Sequence, residues 1–325
     1  MLTVKTKLIE KERELIALSV AETLKFPVLL IGDIGTGKTQ LFLDYASAKL
    51  NNPDETGKIF VKQLSFDTRA EEILGYISIP EFRNGKIMRI NSIAEAEYIL
   101  IDEVDKANSA VRNLFLSVLR EKKIFDGEKV VPCMWKLFVG TSNRSEFDEE
   151  DKAFLDRFVL KVTVHKVGLP LADKLLEPQV QEIIIEPAFN PDALKIKEKI
   201  KSLLPELYEQ ISDRTLTRLF PVAFEFAKYY GENKGIICAL EYCVGPEIAM
   251  KLSERIEVKH PLVKEAAQLI KDYQSATEES KLILTGKAVE LLKEARRISK
   301  ELPEVSKEVI ALVKPLIDIG QEETK

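Results

Sequence analysis

The first half of the chain alternates between short apolar runs and segments in which apolar residues recur at helical spacing. Apolar runs bounded by polar or glycine-rich segments predict buried strands. Such runs occupy residues 28–31, 59–64, 98–101, 137–143 and 159–164. Helical spacing predicts helices over residues 5–25, 40–46 and 107–120. The pattern predicts a first domain of alternating strands and helices, over residues 1–166.

The second half is almost entirely helical in its spacing. Helices are predicted over residues 171–184, 191–204, 213–230, 236–256 and 261–273, with a kink at Pro221. Two further amphipathic helices meet near Leu302 and Pro303. We therefore predict a helical domain over residues 167–275 and a helical hairpin over residues 276–325. The hairpin either packs on the helical domain or contacts a partner.

Two β-hairpins are predicted within the first domain. Asn84-Gly85 lies between partly alternating segments over residues 76–90, and Asp126-Gly127 lies between similar segments over residues 123–131. These dipeptides are strong hairpin signals because both central residues of a tight hairpin turn adopt positive φ.

A glycine-rich loop between a predicted strand and a predicted helix points to phosphate binding. The segment matches G-x-x-x-x-G-K-[ST] at every fixed position. Its glycines allow backbone N–H groups to converge on phosphate oxygens, and Lys38 can reach the β- and γ-phosphates of ATP. The candidate ATP-binding residues are Gly32, Asp33, Ile34, Gly35, Thr36, Gly37, Lys38, Thr39 and Gln40.

A second motif supplies carboxylates. Asp102 and Glu103 follow the apolar run at 98–101. We predict that Thr39 and Asp102 bind Mg²⁺, directly or through water, since this cation prefers oxygen ligands. Glu103 would polarise the water that attacks the γ-phosphate. The alternative is a strand that simply ends at charged residues.

Two more polar residues are candidates for contact with the γ-phosphate. Asn143 follows the run at 137–142 and could face the phosphate or the attacking water; alternatively it caps the next turn. Arg214 lies at the start of a predicted helix, where a cation is unfavourable for the helix dipole unless an anion is near. The alternative is an exposed arginine paired with a neighbouring acid.

Composition restricts the remaining choices. The chain has 325 residues, 45% hydrophobic and 31% charged, with a net charge of −5. That charge gives no overall reason to expect nucleic acid. No apolar run reaches the length of a membrane span and no signal-peptide core is present, so we expect a cytoplasmic protein without a membrane partner. Three cysteines and two histidines are scattered, which favours packing over a zinc site.

The motifs together resemble AAA+ ATPases, and within them most closely the MoxR family. The segments that carry the resemblance are GDIGTGKT (32–39), ILGY (73–76), MRI (88–90), LIDEVDKA (100–107), IFDGEKV (124–130), FVGTSN (138–143), FLDRF (154–158) and SDRT (212–215). The resemblance implies a doubly wound parallel sheet of P-loop type with a C-terminal all-helical lid. It also implies a homo-oligomeric ring, six subunits in the family, with ATP between neighbours.

The resemblance assigns roles residue by residue. It implies a phosphate grip at Gly37, Lys38 and Thr39, the Walker B pair at Asp102 and Glu103, and sensor 1 at Asn143. It also implies that Arg157 is the arginine finger donated to the adjacent subunit and that Arg214 is sensor 2 of the lid. The alternative for Arg157 is an ion pair with Asp156 or another acid. Asp33-Ile34 stands where the family usually has Val-Pro.

The resemblance implies an ATP-hydrolysing chaperone that remodels or matures protein clients, with a partner bearing a von Willebrand factor A-like domain. A nucleic-acid motor is a second interpretation, because both hairpins carry basic residues. It is the weaker one, since acidic residues dilute the patch and few aromatics are interleaved. A third interpretation is an ATP-dependent binding switch.

Overall fold

The computed structural model divides the chain into two compact units, Met1–Ile256 and Glu257–Lys325. It describes residues 1–50, 57–79, 83, 89–90, 92–126, 129–144, 147, 154–168, 171, 174–175, 179–208, 211–256, 266, 268–270, 272–273, 278–298, 309–311 and 313–315. The three-part division at residues 166 and 275 stays a prediction.

Five parallel strands form the central sheet of the first unit. They are β2 (Val28–Ile31), β3 (Ile59–Gln63), β6 (Tyr98–Asp102), β9 (Leu137–Ser142) and β10 (Leu160–Thr163). Their order across the sheet is β10-β2-β9-β6-β3. Since all five are parallel, their carboxyl ends lie along one edge, where ligands bind in open α/β sheets.

Helices cover both faces of this sheet. They include α1 (Glu12–Leu24), α2 (Lys38–Lys49), the short α3 (Glu71–Leu74) and α4 (Ser109–Arg120). Successive residues of β2 point to opposite faces: Val28 and Leu30 join one buried cluster with α1 and α2, while Leu29 joins another with α4. The apolar run at 28–31 is therefore buried from both sides, as in a doubly wound α/β fold.

A small antiparallel sheet was not predicted. β1 (Leu2–Thr6) pairs with β11 (Gln181–Ile185), with Val4 opposite Ile183. The predicted helices over residues 5–25 and 171–184 are therefore wrong where they overlap these strands. Apolar residues 183–185 fit a helical period as well as a strand, and only a partner about 180 residues away in the chain selects the strand.

Both predicted hairpins contain antiparallel pairs. β4 (Tyr76–Ile77) pairs with β5 (Arg89–Ile90), and β7 (Lys123–Asp126) pairs with β8 (Lys129–Pro132). The Asn84-Gly85 turn lies outside the described residues, as does Gly127 of the second turn.

The rest of the first unit is helical. Its helices are α5 (Ala193–Ser202), α6 (Leu204–Leu207), α7 (Asp213–Tyr230), α8 (Glu232–Cys243) and α9 (Pro246–Ile256). α7 has the predicted bounds and continues through Pro221. The single helix predicted over residues 236–256 is instead two helices, because Gly245 adopts φ 146° between them. A Cβ on Gly235 would lie 2.6 Å from the Ala227 nitrogen, so α8 packs against α7 at the distance only glycine allows.

The second unit contains α10 (Glu278–Ile298) and short helical segments at 309–311 and 313–315. It has its own buried cluster, formed by Ala266, Leu269, Tyr273, Ala288, Leu291, Ala295, Val309 and Val313. Leu302 and Pro303, the predicted meeting point of two helices, lie outside the described residues. Among the helices that the structure describes, none is both long and apolar enough to cross a membrane.

Candidate active site

The glycine-rich loop connects β2 to α2 at the carboxyl edge of the sheet. Gly35 and Gly37 adopt φ 82° and 87°, values that favour glycine. At Gly32 the requirement is space, because a Cβ there would lie 2.3 Å from the Val164 carbonyl oxygen. The glycines therefore permit a tight loop that is packed against the end of β10 and opens into the first turn of α2.

Lys38, the first residue of α2, is buried and folds back over the loop. Its Nζ donates hydrogen bonds to the carbonyl oxygens of Gly32 (2.7 Å) and Asp33 (2.9 Å), and to Oδ1 of Asn143 (2.8 Å). Burial lowers the pKa of Lys38, while the carboxylates of Asp102, Asp33 and Glu103 oppose that shift. The ammonium is thus held where a phosphate entering the loop would find it.

Thr39 and Asp102 lie together, as the sequence predicts. The Thr39 hydroxyl donates to Oδ2 of Asp102 over 3.2 Å. The other carboxylate oxygen accepts a hydrogen bond from the Thr141 hydroxyl. A hydroxyl and a carboxylate that converge in this way fit Mg²⁺, which binds proteins through one or two oxygen ligands and otherwise keeps water and phosphate.

Glu103 follows β6 with an unusual backbone. Its φ is 55°, in the left-handed region that non-glycine residues seldom occupy, and its N–H donates to the Thr141 hydroxyl over 3.1 Å. Its carboxylate accepts from Lys106 (2.9 Å), Gln63 (3.1 Å) and Asn143 (3.2 Å). The hydrogen bonds from Lys106 and Gln63 lower the pKa of Glu103, which keeps the carboxylate ionised.

Asn143 joins the two motifs. Its Oδ1 accepts from Lys38, and its Nδ2 donates to Oε1 of Glu103. One amide therefore touches both Lys38 of the loop and Glu103, and both ends of its side chain are hydrogen-bonded. Asn143 thus lies between the two side chains that the sequence assigns to the phosphate and to the attacking water.

A cavity of about 270 Å³ opens beside the loop. Its lining residues include Gly32, Asp33, Thr36, Asn143, His165 and Lys166. Thr36 donates its hydroxyl hydrogen to the Asp33 carbonyl oxygen over 2.9 Å. Lys166 lies 3.0 Å from Asp33 in an exposed ion pair. The cavity therefore lies between the start of the loop, Asn143 and the end of β10, and Lys38 and Thr39 are not among its lining residues.

The other predicted loop residues point away from this cavity. Ile34 is 82% exposed, and Gln40 donates to Asp44 on α2 over 2.7 Å. Ile34 belongs to the loop through its backbone, whereas Gln40 lies in the first turn of α2.

Sequence reasoning missed three side chains that position the site. They are Gln63, Lys106 and Thr141. Gln63 is the register partner of Asp102 across the β3–β6 pair. Thr141 is a fully buried polar residue within a strand, which is unusual enough to be a signal on its own. Lys106 lies three residues after Glu103, within one helical turn.

The predicted arginine finger lies at the opposite edge of the sheet. Arg157 lines a second cavity with Phe26, Pro27 and Val159, residues that immediately precede β2 and β10. This amino edge is separated from the phosphate loop by the length of β2, and the two cavities share no lining residue. Arg157 is therefore placed away from the phosphate loop of its own chain.

Arg214 lines the same second cavity and not the loop cavity. Its Nη1 lies 3.7 Å from Oδ2 of Asp156, and both side chains are more than 40% exposed. Asp156 thus pairs with Arg214, while the Nε of Arg157 is buried with no hydrogen-bond partner among the described residues. The structure brings the two predicted arginines together.

A parallel α/β sheet with a glycine-rich loop between its strand and helix, a threonine–aspartate pair and an adjacent glutamate defines a P-loop nucleotide-binding protein. The family model of the MoxR domain in MoxR-vWA-beta-propeller ternary systems matches residues 1–199. The chain therefore belongs to the MoxR family of AAA+ ATPases.

Two curated relatives come from Methanocaldococcus jannaschii. Uncharacterized protein MJ0079 is 26% identical over 209 residues, which cover 63% of this chain and 50% of the relative. Uncharacterized protein MJ0812 is 28% identical over 225 residues, covering 63% of this chain and 59% of the relative. The chain thus spans little more than half the length of the curated relatives it matches.

A solved structure, that of a putative ATPase from Cytophaga hutchinsonii, is also similar. It is 19% identical with a TM-score of 0.49, over 76% of this chain and 82% of that one.

Proposed function

We propose that the chain binds ATP with Mg²⁺ at the glycine-rich loop and hydrolyses it. The observation that carries the proposal is the Asn143 amide, which joins Lys38 to Glu103 while Thr39 contacts Asp102. Lys38 would bind the β- and γ-phosphates as a point charge, and loop N–H groups would bind the remaining oxygens. Thr39 and Asp102 would hold Mg²⁺, which neutralises charge on the phosphates when bound.

Glu103 is the proton acceptor in this proposal. The water oxygen attacks the γ-phosphorus, the bond to the β–γ bridging oxygen breaks, and ADP leaves while Glu103 takes the proton. The carboxylate of Glu103 is bonded to three donors without nucleotide. Lys106 and Gln63 both donate to Oε2, and Asn143 alone donates to Oε1, which leaves Oε1 one acceptor site for a water. Asn143 also has the γ-phosphate as an alternative partner in this proposal.

Arg157 and Arg214 act on the nucleotide of a neighbouring subunit. Both line the cavity at the amino edge, and neither lines the cavity of its own phosphate loop. The fork of donors on an arginine suits charge spread over phosphoryl oxygens in the transition state. We therefore propose a homo-oligomeric ring, with six subunits as in the family, in which each site is completed across a subunit interface.

The proposed ring is a chaperone that remodels or matures protein clients with a von Willebrand factor A-like partner. The description of the matching family model, which names vWA and beta-propeller components, supports this partner. The β7–β8 hairpin also presents two exposed apolar residues opposite each other, Phe125 (54%) and Val130 (53%). Such a pair suits contact with protein better than contact with phosphates.

A nucleic-acid motor is the second candidate, favoured by the exposed Lys123 and Lys129 on the same hairpin. Affinity capture with Glu103→Gln subunits distinguishes the two, since this variant should hold ATP and its client without turnover. Recovery of protein with an intact hairpin, lost in Phe125→Ser, supports the chaperone. Recovery of nucleic acid alone, with release by salt, supports the motor.

The enzymatic part has its own test. Lys38→Ala should lose ATP binding, while Glu103→Gln should bind ATP and lose turnover. Turnover that persists in Glu103→Gln at the rate of the unchanged chain would refute the role of this carboxylate.

A further inference from the structure

The cavity at the amino edge holds far more positive charge than two motif arginines supply. Its volume is about 470 Å³. Six cationic side chains line it: Lys25, Arg120, Lys122, Arg157, Arg214 and Arg218. They come from the end of α1, the end of α4, the turn before β10 and the first turns of α7. Four separate elements therefore deliver positive charge to one place.

Among the residues that the structure describes, few acids pair with the cations of this cavity. Asp156, 3.7 Å from Arg214, is the carboxylate paired with a lining cation, and among the described residues the other five cations have no acid within ion-pair distance. Burial and the nearby Arg214 lower the pKa of Arg218, with Asp156 opposing. Burial and the nearby Lys25 lower the pKa of Lys122. Arg214 and Arg218, and likewise Lys25 and Lys122, are therefore close enough for their like charges to repel, which a bound anion would relieve.

Two of the cations are fixed by aromatic rings. The Nζ of Lys122 lies 3.7 Å from the centroid of the Trp135 ring, and the guanidinium of Arg218 lies 5.9 Å from that of Phe26. Lys122 itself has φ 52°, as Lys25 has φ 54°, so both lysines sit on left-handed backbone. Left-handed backbone is common where helices end, as at Lys25 after α1, so it is the contact with aromatic rings that marks Lys122 and Arg218 as preorganised.

We propose that this cavity is a second polyphosphate-binding site of the chain, in which Lys122 and Arg218 bind phosphate oxygens together with Arg157 and Arg214. One source of the polyphosphate is the triphosphate presented by a neighbouring subunit, and this source rests on the proposed function. The other source is a free polyphosphate. The chemistry is the same in both: phosphoryl groups carry high charge and several strong acceptor oxygens.

The shape of the site favours a compact anion. A volume of about 470 Å³ lies within the range of small-ligand pockets. Four arginine forks match the paired oxygens of phosphate groups, and the two lysines supply point charges that need no fixed angle. Residues Lys122 and Arg218 belong to no sequence motif used above, so their role follows from placement alone.

The first experiment measures free anion. In the full chain carrying Lys38→Ala, which disables the phosphate loop, calorimetry with inorganic tripolyphosphate should detect binding. Lys122→Gln and Arg218→Gln should each weaken it by about tenfold or more, the loss expected for one charge-assisted hydrogen bond. Lys197→Gln and Arg69→Gln, exposed cations outside both cavities, are the matched controls.

The second experiment measures a triphosphate from a neighbour. In the assembled chain with Lys38 intact, Lys122→Gln and Arg218→Gln should lower turnover at saturating ATP by about tenfold, again one charge-assisted bond, while ATP affinity at the phosphate loop stays constant. Arg218→Lys keeps the positive charge and should therefore retain more turnover than Arg218→Gln. An equal loss in both variants would point to a folding defect instead of a lost charge.

The outcomes separate the sources and the proposals. Loss in the first experiment assigns the site to free polyphosphate, and loss in the second alone assigns it to the neighbour's nucleotide. Cavity variants that match the controls in both experiments overturn the inference, whether or not the chain hydrolyses ATP. If the chain without substitutions has no ATPase activity, the proposed function is refuted. The tripolyphosphate measurement would then still decide whether the second polyphosphate-binding site exists.

Discussion

The two edges of the central sheet treat charge in opposite ways. At the carboxyl edge Lys38 has three acceptors, and Glu103 has three donors. At the amino edge six cations share one cavity with a single paired acid among the described residues. At the carboxyl edge the chain supplies partners for its own charges, whereas at the amino edge most of the cations have no paired acid among the described residues.

This difference separates two ways of handling phosphate. A ligand at the carboxyl edge must replace hydrogen bonds that Lys38 and Glu103 already make within the chain. The loop is therefore well packed even without a ligand. A ligand at the amino edge removes repulsion that the fold otherwise carries. In the proposed ring the first edge holds a nucleotide, and the second edge reports whether the neighbour holds one.

The largest effect should come from Arg157→Ala. If the two edges serve different subunits, turnover should fall by about 10³-fold or more, as for other arginine fingers, while ATP affinity is kept. Steady-state turnover and equilibrium ATP binding measure the two quantities. Mixing Arg157→Ala subunits with Lys38→Ala subunits should restore activity, because some interfaces then combine an intact loop with an intact finger.

If the mixture of Arg157→Ala and Lys38→Ala subunits is as inactive as each variant alone, the two edges do not serve different subunits. That result would show that one subunit needs both edges for its own site. Arg13→Ala does not serve as the control, since Arg13 pairs with Glu241 and lies over the Tyr242 ring; the exposed Arg69 does.

The second prediction concerns the carboxyl edge, where the buried Thr141 hydroxyl positions Asp102 and Glu103. Thr141→Val removes the hydroxyl that donates to Asp102 and accepts from the Glu103 N–H. We expect turnover to fall by about 10- to 100-fold, the usual loss when a partner of a metal-binding carboxylate is removed. Thr141→Ser should recover most of it. Equal rates for the valine and serine variants would mean that packing, rather than the hydroxyl, matters here.

A compensated carboxylate near the amino edge offers a contrast in stability. Burial tends to raise the pKa of Glu22, but hydrogen bonds from Lys49, Tyr45 and Tyr98 more than offset it and lower the pKa. Glu22→Gln should cost about 1–3 kcal/mol of unfolding free energy at pH 7, because one of the two oxygens that accept from Tyr45, Tyr98 and Lys49 is replaced by an NH2 group and the charge is lost. Urea unfolding measures this cost.

The pH dependence of that cost follows from the lowered pKa. The stabilisation by Glu22 is complete above the unfolded pKa of about 4.3, and is lost as pH falls through the lower folded pKa. The deficit of Glu22→Gln should therefore shrink only in acid. A deficit that is constant from neutral to strongly acid pH would argue that the carboxylate charge plays no part.

The smallest effect belongs to the exposed ion pair of the phosphate loop. Lys166 and Asp33 are 68% and 70% exposed. Lys166→Gln should change the free energy of unfolding by less than about 1 kcal/mol, since exposed pairs are weak. Lys5→Gln, which removes a similarly exposed pair with Glu182, is the control. A clearly larger loss of unfolding free energy for Lys166→Gln than for Lys5→Gln would indicate that the loop needs the positive charge of Lys166 beside Asp33.

Much of the nucleotide-binding fold was predictable. The strands ending at Ile31, Asp102 and Ser142 lie where apolar runs indicated, and α7 has its predicted bounds. These elements succeed because each apolar run is buried from both faces, so the sequence pattern and the final environment agree. The fold class and the family followed from the same segments.

The errors have two physical causes. β1 and β11 pair across almost 180 residues, and the apolar run of β11 is compatible with a helix as well as a strand when read locally. The break between α8 and α9 is local, because it depends on the backbone of Gly245, next to Pro246. Local spacing reports which residues repeat along the chain, but it does not report which distant segment supplies the missing hydrogen bonds.

By itself, the sequence determined the phosphate loop, the carboxylate pair and the alternation of strands and helices, because these depend on residue types at short, fixed separations. Only the tertiary structure decided that Thr141 supports Asp102, and that Arg157, Arg214, Arg218 and Lys122 gather at the edge opposite Lys38. Those placements depend on strand order and on the packing of α7 against α1, and neither is written in the spacing of residues along the chain.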